Sequence, residues 1–389
     1  MVTLDSAQNA LKSVYLGVLS EQLNIKSNAF LSKIKQSSKD VYGKEIIKLA
    51  PYGLNGGICA SSETGTLPTA SSHKFLQFKS GLKNLYGTIS ISDKAIRASM
   101  SDSGAFVNLL SDEMDSLVKS SAFNLGRMVY GDGTGLLATV TVADSGTTFN
   151  SVKNFVEGMK VDIYSSTGAL AKSGLVVTYV DRANKTITLS EDYTFVNGDK
   201  IYACGSKDNE ITGIKRLFDK TEANKMLYDV DRTNYAWLYP YVEENSKTAV
   251  EISDSLIQTA LNSIEEETGS QVDFIAVSGD VRTAYQKYLS ANRRNLDIEV
   301  LAGGYKAMTY AGIPVVYERF VDDGTMYLLN TQDFNLHQLC DWEWLTTDNG
   351  SILIPSATSP TYTATLVKYA ELICDRPGAQ GKISNIKNS

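Results

Sequence analysis

The residue types most able to do chemistry stand together in the run Asp341-Trp342-Glu343-Trp344. Two carboxylates at positions i and i+2 of a strand project from the same face, and a tryptophan ring can stack on a sugar. This pattern suggests a carbohydrate-active enzyme or binding module that uses Asp341 and Glu343. A glycosidase, however, holds its two carboxylates on opposite sides of the bond that it cleaves. The spacing therefore favours a structural interpretation, an interface strand with anchoring aromatic side chains.

Two further runs have both a chemical and a structural interpretation. Gly131-Asp132-Gly133-Thr134-Gly135 is as rich in glycine as a phosphate-binding loop. Such a loop follows a strand and opens a helix, whereas this run follows a predicted helix and lacks the Gly-Lys-Ser/Thr signature. We predict that it ends the helix, because glycine readily adopts the left-handed conformation found there. Residues 265–267, three glutamates in a row, are typical of a solvated helix end.

Thiol, histidine and metal chemistry have no recognisable pattern in this chain. The four cysteines are far apart with no Cys-x-x-Cys pair, and only two histidines occur; these residues are Cys59, Cys204, Cys340, Cys374, His73 and His337. A zinc site or a redox motif needs its ligands at short spacing, and a catalytic triad needs a suitably placed histidine. We therefore predict no catalytic residue, no metal site and no cofactor.

Composition is that of a packed globular protein with an acidic balance. The chain has 389 residues, 43% of them hydrophobic, and a formal net charge of -7. The lysines and arginines are scattered among acidic residues, which argues against sequence-specific nucleic-acid binding but permits non-specific contact with packed DNA. No run reaches the roughly 18 apolar residues that span a bilayer, and the N-terminus lacks the features of a secretory signal. We expect a protein made in the cytoplasm that does not contact a membrane.

The N-terminal quarter of the sequence contains an amphipathic segment and, after it, a segment of small residues that cannot form a hydrophobic core by itself. Residues 5–24 have apolar side chains at helical spacing, namely Leu11, Val14, Tyr15, Val18, Leu19 and Leu23. Residues 53–72 are dominated by Gly, Ser, Thr and Ala, and residues 74–92 alternate between apolar and polar. We predict a long, projecting two-stranded loop over residues 53–92. An isolated hairpin is marginally stable in water, so it should lie on something else, such as a neighbouring subunit.

The middle of the sequence predicts one long helix and then a β module. After the capping-type start Ser101-Asp102-Ser103, apolar residues recur at i, i+3 and i+4 up to about Tyr130, which predicts a helix roughly 40 Å long. Residues 136–205 then change to short β runs separated by turn clusters. The predicted strands are Lys160 to Tyr164, Leu175 to Val180, Lys185 to Leu189 and Lys200 to Ala203.

The last part of the sequence predicts an α+β unit and a final long strand. Helices are predicted over about 248–267 and from Asp280, with a buried strand from Val272 to Val277 between them. Strands at Ile313 to Tyr317 and Met326 to Leu329 follow. The alternating run Thr361 to Cys374 should return to an extended sheet beside the long helix.

Several segments, in this order, resemble the major capsid proteins of tailed bacteriophages, whose fold is named for the phage Hong Kong 97. Residues 85–92 (LYGTISIS) resemble the return strand of the family's extended loop, and residues 104–135 resemble its spine helix and the turn that ends it. Residues 278–285 (SGDVRTAY) are similar to the start of its axial-domain helix. Residues 312–316 through 328–330 resemble the strands before its C-terminal sheet.

The resemblance implies an α+β fold of the Hong Kong 97 type with an inserted small all-β module. It implies an N-terminal arm (1–52), an extended β-hairpin loop (53–92), the spine helix of a peripheral domain (93–135), an inserted β module (136–205), a peripheral and connecting segment (206–247), an axial domain (248–330) and the C-terminal strands of the peripheral domain (331–389).

The function that the resemblance implies is structural rather than catalytic. Hexamers and pentamers of the chain would close into an icosahedral shell around double-stranded DNA, with the loop of each subunit over its neighbour, and the protein would be found in the virion capsid after assembly in the host cytoplasm. A scaffolding protein and a portal are the partners expected during assembly. No flanking motif marks Lys74, Lys79 or Lys83 as the donor of the cross-link that some members form. The alternative on the same fold is an encapsulin-type protein compartment.

Overall fold

A computed structural model shows how these segments are arranged. It describes residues 28–53, 55–94, 103–143, 146–244, 248–291, 298–300, 306–347 and 350–387. The amphipathic helix predicted over residues 5–24 lies outside the described residues, as do Ser101 and Asp102 of the predicted helix start.

Five α-helices occur in these ranges: α1 (Ala29–Lys33), α2 (Ser103–Tyr130), α3 (Ile214–Phe218), α4 (Asp254–Thr268) and α5 (Gly279–Ala291). The long helix predicted to end near Tyr130 is α2, whose 28 residues make a rod of about 42 Å. Helix α4 begins where the Ser253 side chain accepts a hydrogen bond from Leu256 N, and it ends at Gly269, which has a positive φ of 65°.

The described strands form several sheets. In chain order they are β1 (Lys35–Ser37), β2 (Val41–Tyr42), β3 (Glu45–Tyr52), β4 (Lys74–Gly81), β5 (Lys83–Ser92), β6 (Leu136–Ala143), β7 (Gly146–Phe149), β8 (Lys160–Tyr164), β9 (Leu170–Asp181), β10 (Thr186–Leu189), β11 (Lys200–Ala203), β12 (Met226–Leu227), β13 (Val230–Asp231), β14 (Tyr241–Glu243), β15 (Phe274–Val277), β16 (Ile298–Val300), β17 (Lys306–Tyr310), β18 (Ile313–Tyr317), β19 (Met326–Leu329), β20 (Phe334–Trp344), β21 (Ile354–Pro355), β22 (Thr361–Cys374) and β23 (Gly381–Ile383).

A central sheet lies beside the long helix. Strand β22 pairs antiparallel with β5 on one side and with β20 and the short β21 on the other, and β1 adds to the far edge of β20. The predicted return of residues 361–374 to a sheet beside α2 is therefore confirmed. Gly87 of β5 is the point of closest approach, since a Cβ there would lie 2.8 Å from Leu117 Cδ1 of α2. Gly87 thus continues strand β5 and makes room for the helix.

The predicted boundaries of the extended hairpin are wrong. Residues 53–92 do not form it alone: β4 pairs antiparallel with β3, residue for residue from Glu45–Gly81 to Tyr52–Lys74. Strand β5 instead pairs with β22 along ten residues of the central sheet. The alternation from Lys74 to Ser92 looks continuous in the sequence, but the chain changes sheets at Leu82, whose backbone N–H donates to Lys44 O. Period-2 patterning shows which face of a strand is buried and not which strand is its neighbour.

A seven-stranded sheet forms the second layer. Its order is β14-β23-β19-β15-β18-β17-β16, and α4 and α5 pack around a hydrophobic cluster that includes Ile257, Ile264 and Tyr285. The predicted division into 248–330 and 331–389 is wrong here, because β23 pairs with β19. Strand β14, predicted to belong to the connecting segment 206–247, pairs with β23. Three-residue strands carry too little pattern to be assigned to a sheet from the sequence.

The segment 136–203 forms a six-stranded sheet with its own hydrophobic cluster. The order is β10-β9-β8-β11-β6-β7, and the cluster includes Phe149, Phe155 and Ile201, which are fully buried or nearly so. The four predicted strands occur, with β9 extended at its start to Leu170. A hydrogen bond from Phe149 N to Lys185 O (3.0 Å) brings the two ends of the sheet together, so the sheet curls toward a barrel.

Candidate functional site

Among the residues whose exposure the structure describes, the most exposed large apolar side chains lie at the tip of the β3–β4 hairpin. We call residues 53–73, which join the two strands, the hairpin tip; its described residues have no helix or strand. Ile58 is 85% exposed and Leu67 is 90% exposed. Scattered exposed apolar residues are ordinary, but two such residues on a segment without its own core make the hairpin tip the candidate contact surface of this chain.

The strands of the hairpin also have one buried face and one exposed face. Ile46, Ala50 and Phe78 on the inner face are buried. Leu49 and Phe75 on the outer face are about 60% exposed. Side chains alternate across a strand, so one face anchors the hairpin to its own subunit while the other is left uncovered.

The base of the hairpin is held firmly. Lys48 Nζ lies 2.6 Å from Asp375 Oδ2 in a half-buried ion pair. The Tyr52 ring stacks on Trp237 with centroids 5.8 Å apart, and Lys79 N donates to Tyr228 O (2.9 Å). The hairpin is thus a fixed support, and the tip is presented at a defined place on the molecule.

Asp341 and Glu343, the two carboxylates considered for sugar chemistry, do not have the arrangement that catalysis requires. Trp342 and Trp344 face the core, with 4% and 6% of their surfaces exposed, so neither ring is available to stack on a ligand. Asp341 Oδ1 forms an ion pair with Lys368 Nζ (2.7 Å). Glu343 is exposed on the opposite face of the strand from the two tryptophans. Asp341 therefore balances the charge of the Lys368 ammonium group in the central sheet.

Lys368 is the unusual member of that pair, since it is fully buried in the middle of β22. Its ammonium group donates to Gln338 Oε1 (2.7 Å) as well as to Asp341. Burial lowers the pKa of Lys368, and the neighbouring Asp341 opposes that shift. A buried ammonium needs several partners, and these two supply them.

The glycine-rich run 131–135 ends α2, as predicted, and supports the β module. Gly133 and Gly135 have positive φ angles of 87° and 78°, and Thr134 N donates to Asp132 Oδ1 (2.9 Å). Just before the run, Arg127 Nη1 donates to Glu210 Oε2 (2.8 Å) in a pair that is almost completely buried. The pair fastens the strand exit of the module to the long helix.

Two buried carboxyl groups were not predicted. Glu318 is 6% exposed, and its Oε1 accepts a hydrogen bond from Ala29 N at the start of α1 (3.1 Å). Burial raises its pKa to about 8, against the lowering effect of two backbone hydrogen bonds. Glu371 is fully buried beside Thr212 N (2.6 Å), and burial raises its pKa to about 7. Neither residue could be singled out, because the contacts that bury each glutamate come from segments far away in the sequence, namely Ala29 for Glu318 and Thr212 for Glu371.

The remaining candidate groups are structural. His337 is buried, its Nδ1 lies 2.9 Å from Lys39 O, and burial lowers its pKa. The three glutamates 265–267 are exposed at the end of α4, as predicted. Within the described ranges the four cysteines are free, and no group of three or more potential metal ligands occurs. No described helix combines the length and the apolar character needed to cross a membrane.

Capsid subunits are among the solved structures to which the fold of the chain is similar. The chain is similar to the "Cyanophage A-1(L) capsid asymmetric unit", with 13% identity, a TM-score of 0.58 and coverage of 92% of both chains. It is also similar to the "Capsid of empty GTA particle computed with C5 symmetry", with 13% identity, a TM-score of 0.51 and coverage of 92% of this chain and 90% of that chain. No protein-family model and no curated protein matches the sequence. The chain has the Hong Kong 97-type capsid fold, as the resemblance predicted.

Proposed function

We propose that the chain is the major head protein of a tailed phage, which self-assembles as hexamers and pentamers into an icosahedral shell around double-stranded DNA. The observation that carries the proposal is the hairpin tip, where Ile58 and Leu67 are almost fully exposed on a firmly based projection. The capsid fold of the two solved relatives supports it.

The position of the tip favours rings over simple dimers. The tip lies at the end of a projection, so the surface that receives it is elsewhere on the next subunit. Such a head-to-tail contact repeats in one direction and closes into a ring when the rotation fits. Rings of five and six subunits are the units that an icosahedral shell requires.

Packaged DNA, a scaffolding protein and a portal would be the further partners of this shell, which would assemble in the bacterial cytoplasm and remain in the virion. The net charge of -7 is compatible with DNA that is enclosed without sequence-specific binding. An encapsulin-type compartment would use the same contacts around a cargo protein, and the contents of purified particles distinguish the two. The carbohydrate alternative loses its support because the Trp342 and Trp344 rings are buried.

The proposal is tested by replacing both Ile58 and Leu67 with serine. We expect the double variant to fold as a subunit but to form far fewer closed shells or rings, because the contact loses most of its apolar area. Size-exclusion chromatography and negative-stain microscopy measure this. Glu63→Ser with Thr69→Ser, at exposed polar positions of the same tip, is the matched control. A full chain that stays monomeric over a wide range of salt and concentration would contradict self-assembly by the chain alone.

A further inference from the structure

The sequence contains three Asn-Gly pairs, in which the main chain can react with its own side chain. They are Asn55-Gly56, Asn197-Gly198 and Asn349-Gly350, and Asn349 lies outside the described residues. The backbone nitrogen that follows an asparagine can attack the side-chain amide carbon. Glycine hinders this attack least, because it has no side chain and has the widest choice of backbone conformations. The surroundings of each glycine nitrogen therefore decide which pair reacts.

Two of the three glycine nitrogens are held by hydrogen bonds. Gly198 N donates to Val140 O (2.9 Å), and the side chain of Asn197 is also tied to β6, since its Oδ1 accepts from Val142 N (3.2 Å). Gly350 N donates to a backbone oxygen three residues earlier (2.7 Å). Each nitrogen must give up a hydrogen bond before it can turn toward the asparagine side chain, which slows the reaction.

The pair Asn55-Gly56 has neither restraint. Both residues are exposed in the hairpin tip, where the described residues have no helix or strand. Gly56 N donates to no acceptor in the part of the chain that the structure describes. Asn55 Oδ1 accepts a hydrogen bond from Gly57 N (2.9 Å). A donor on this oxygen stabilises the negative charge that develops there when the amide carbon is attacked.

We propose that Asn55 is a self-modification site, which converts to aspartate and isoaspartate without an enzyme. Gly56 N forms a bond to Asn55 Cγ while the Cγ–Nδ2 bond breaks. The amide group leaves as ammonia and takes the proton of the attacking nitrogen, so the product is a cyclic imide. Water then opens the ring at one of its two carbonyl carbons, which yields either aspartate or isoaspartate.

The reaction places a negative charge on the hairpin tip, three residues from the 85% exposed Ile58. The effect of that charge, unlike the reaction itself, rests on the proposed role of the tip as a subunit contact. A charge in an apolar contact loses its hydration, which is costly unless a partner compensates for it. Subunits that remain unassembled for long would therefore lose the ability to join a shell.

Peptide mapping by mass spectrometry measures the reaction in the purified full chain. Incubation in heavy-oxygen water marks each new carboxylate, because one of its oxygens comes from the solvent. We expect Asn55 to convert at least about tenfold faster than Asn197 or Asn349, which corresponds to about 1.4 kcal/mol in the barrier. Equal rates at the three asparagines would overturn the proposal.

Gly56→Val tests the attack itself. The branched side chain hinders the nitrogen, so conversion of Asn55 should slow by about tenfold or more, a change of at least about 1.4 kcal/mol in the barrier. A Cβ at this position would lie in ordinary contact, 3.5 Å from Ser71 Oγ, so the tip has room for it. Thr66→Val, which places the same side chain at another exposed position of the tip, should leave the rate unchanged. An unchanged rate in Gly56→Val would mean direct hydrolysis without the backbone nitrogen and would overturn the proposal.

The effect on assembly is measured separately, with Asn55→Asp as the converted form and Asn55→Ser as the uncharged control. We expect fewer closed shells or rings from Asn55→Asp alone, counted by negative-stain microscopy. Equal particle numbers from both variants would show that the charge does not weaken the contact. A parent chain that forms no particles would contradict the proposed function, whereas the conversion rates at Asn55 would still decide the self-modification.

Discussion

Buried charges are the residues whose roles are clearest in the structure and hidden in the sequence. Arg127 and Glu210 pair at the root of the β module, and Lys368 pairs with Asp341 inside the central sheet. A buried pair gives little net stability compared with apolar residues, but loss of one partner leaves an uncompensated charge. The Arg127–Glu210 pair therefore fixes how the β module joins the long helix, whereas buried Lys368 and partly exposed Asp341 link the neighbouring strands β22 and β20 of the central sheet.

Glu318 should make stability depend on pH. Its pKa is about 8 in the folded chain and near 4.5 in the unfolded one, so the folded state holds the proton more tightly. The contribution of Glu318 to stability is therefore largest below pH 4.5 and falls as the pH rises to 8, by up to about 5 kcal/mol. Above pH 8 both states are ionised and the loss stays constant.

Glu318→Gln tests this dependence, because a glutamine keeps the acceptor for Ala29 N and cannot ionise. We expect similar unfolding free energies for the variant and the parent chain at pH 5, and a more stable variant at pH 9. Urea denaturation at several pH values measures both. Glu266→Gln, at an exposed position, should leave the profile unchanged. Identical pH profiles for Glu318→Gln and the parent would show that Glu318 is not buried as the structure has it.

At the scale of the elements, the β module is the unit that should be separable. Its cluster, which includes Phe155 and Ile201, is distinct from the one that packs α2 against the central sheet. We expect that replacement of residues 137–204 by a short Gly/Ser linker leaves a remainder that unfolds cooperatively. Thermal unfolding followed by circular dichroism checks this. A broad, non-cooperative transition would show that the remainder needs the module in order to fold.

The sequence predicted elements better than their partners, for physical reasons. Helix α2 and strand β22 are long, and their apolar periodicity extends over many residues, so both were predicted. The β3–β4 pairing was missed because the two strands are not joined by a short turn: residues 53–73, which contain no strand, separate Tyr52 from Lys74. The exposure of Ile58 and Leu67 follows from the weakly cohesive composition of residues 53–72. The burial of Trp342 and Glu318 depends on contacts far away in sequence, which no local pattern records.

At the scale of the whole molecule, a head-to-tail contact has a consequence that a symmetric contact does not have. Each subunit would give one hairpin tip and receive another at a different surface. A subunit without its tip can still receive a neighbour's tip, but it cannot continue the ring. The deletion that isolates this effect is 55–72 and not a longer one, because Lys74–Gly81 is paired with β3 and residues from Lys83 onward belong to the central sheet.

Subunits lacking residues 55–72 should therefore inhibit shell assembly when they are mixed with the parent chain. If they make up about one fifth of the mixture, roughly a quarter of six-membered rings would contain none of them, and shell yield should fall well below the four-fifths expected from simple dilution. Light scattering during assembly, with particle counts by microscopy, measures the yield. Bovine serum albumin at the same mass is the dilution control. A yield that follows dilution alone would mean that tip-deleted subunits are excluded, as in a contact where both partners must give a tip.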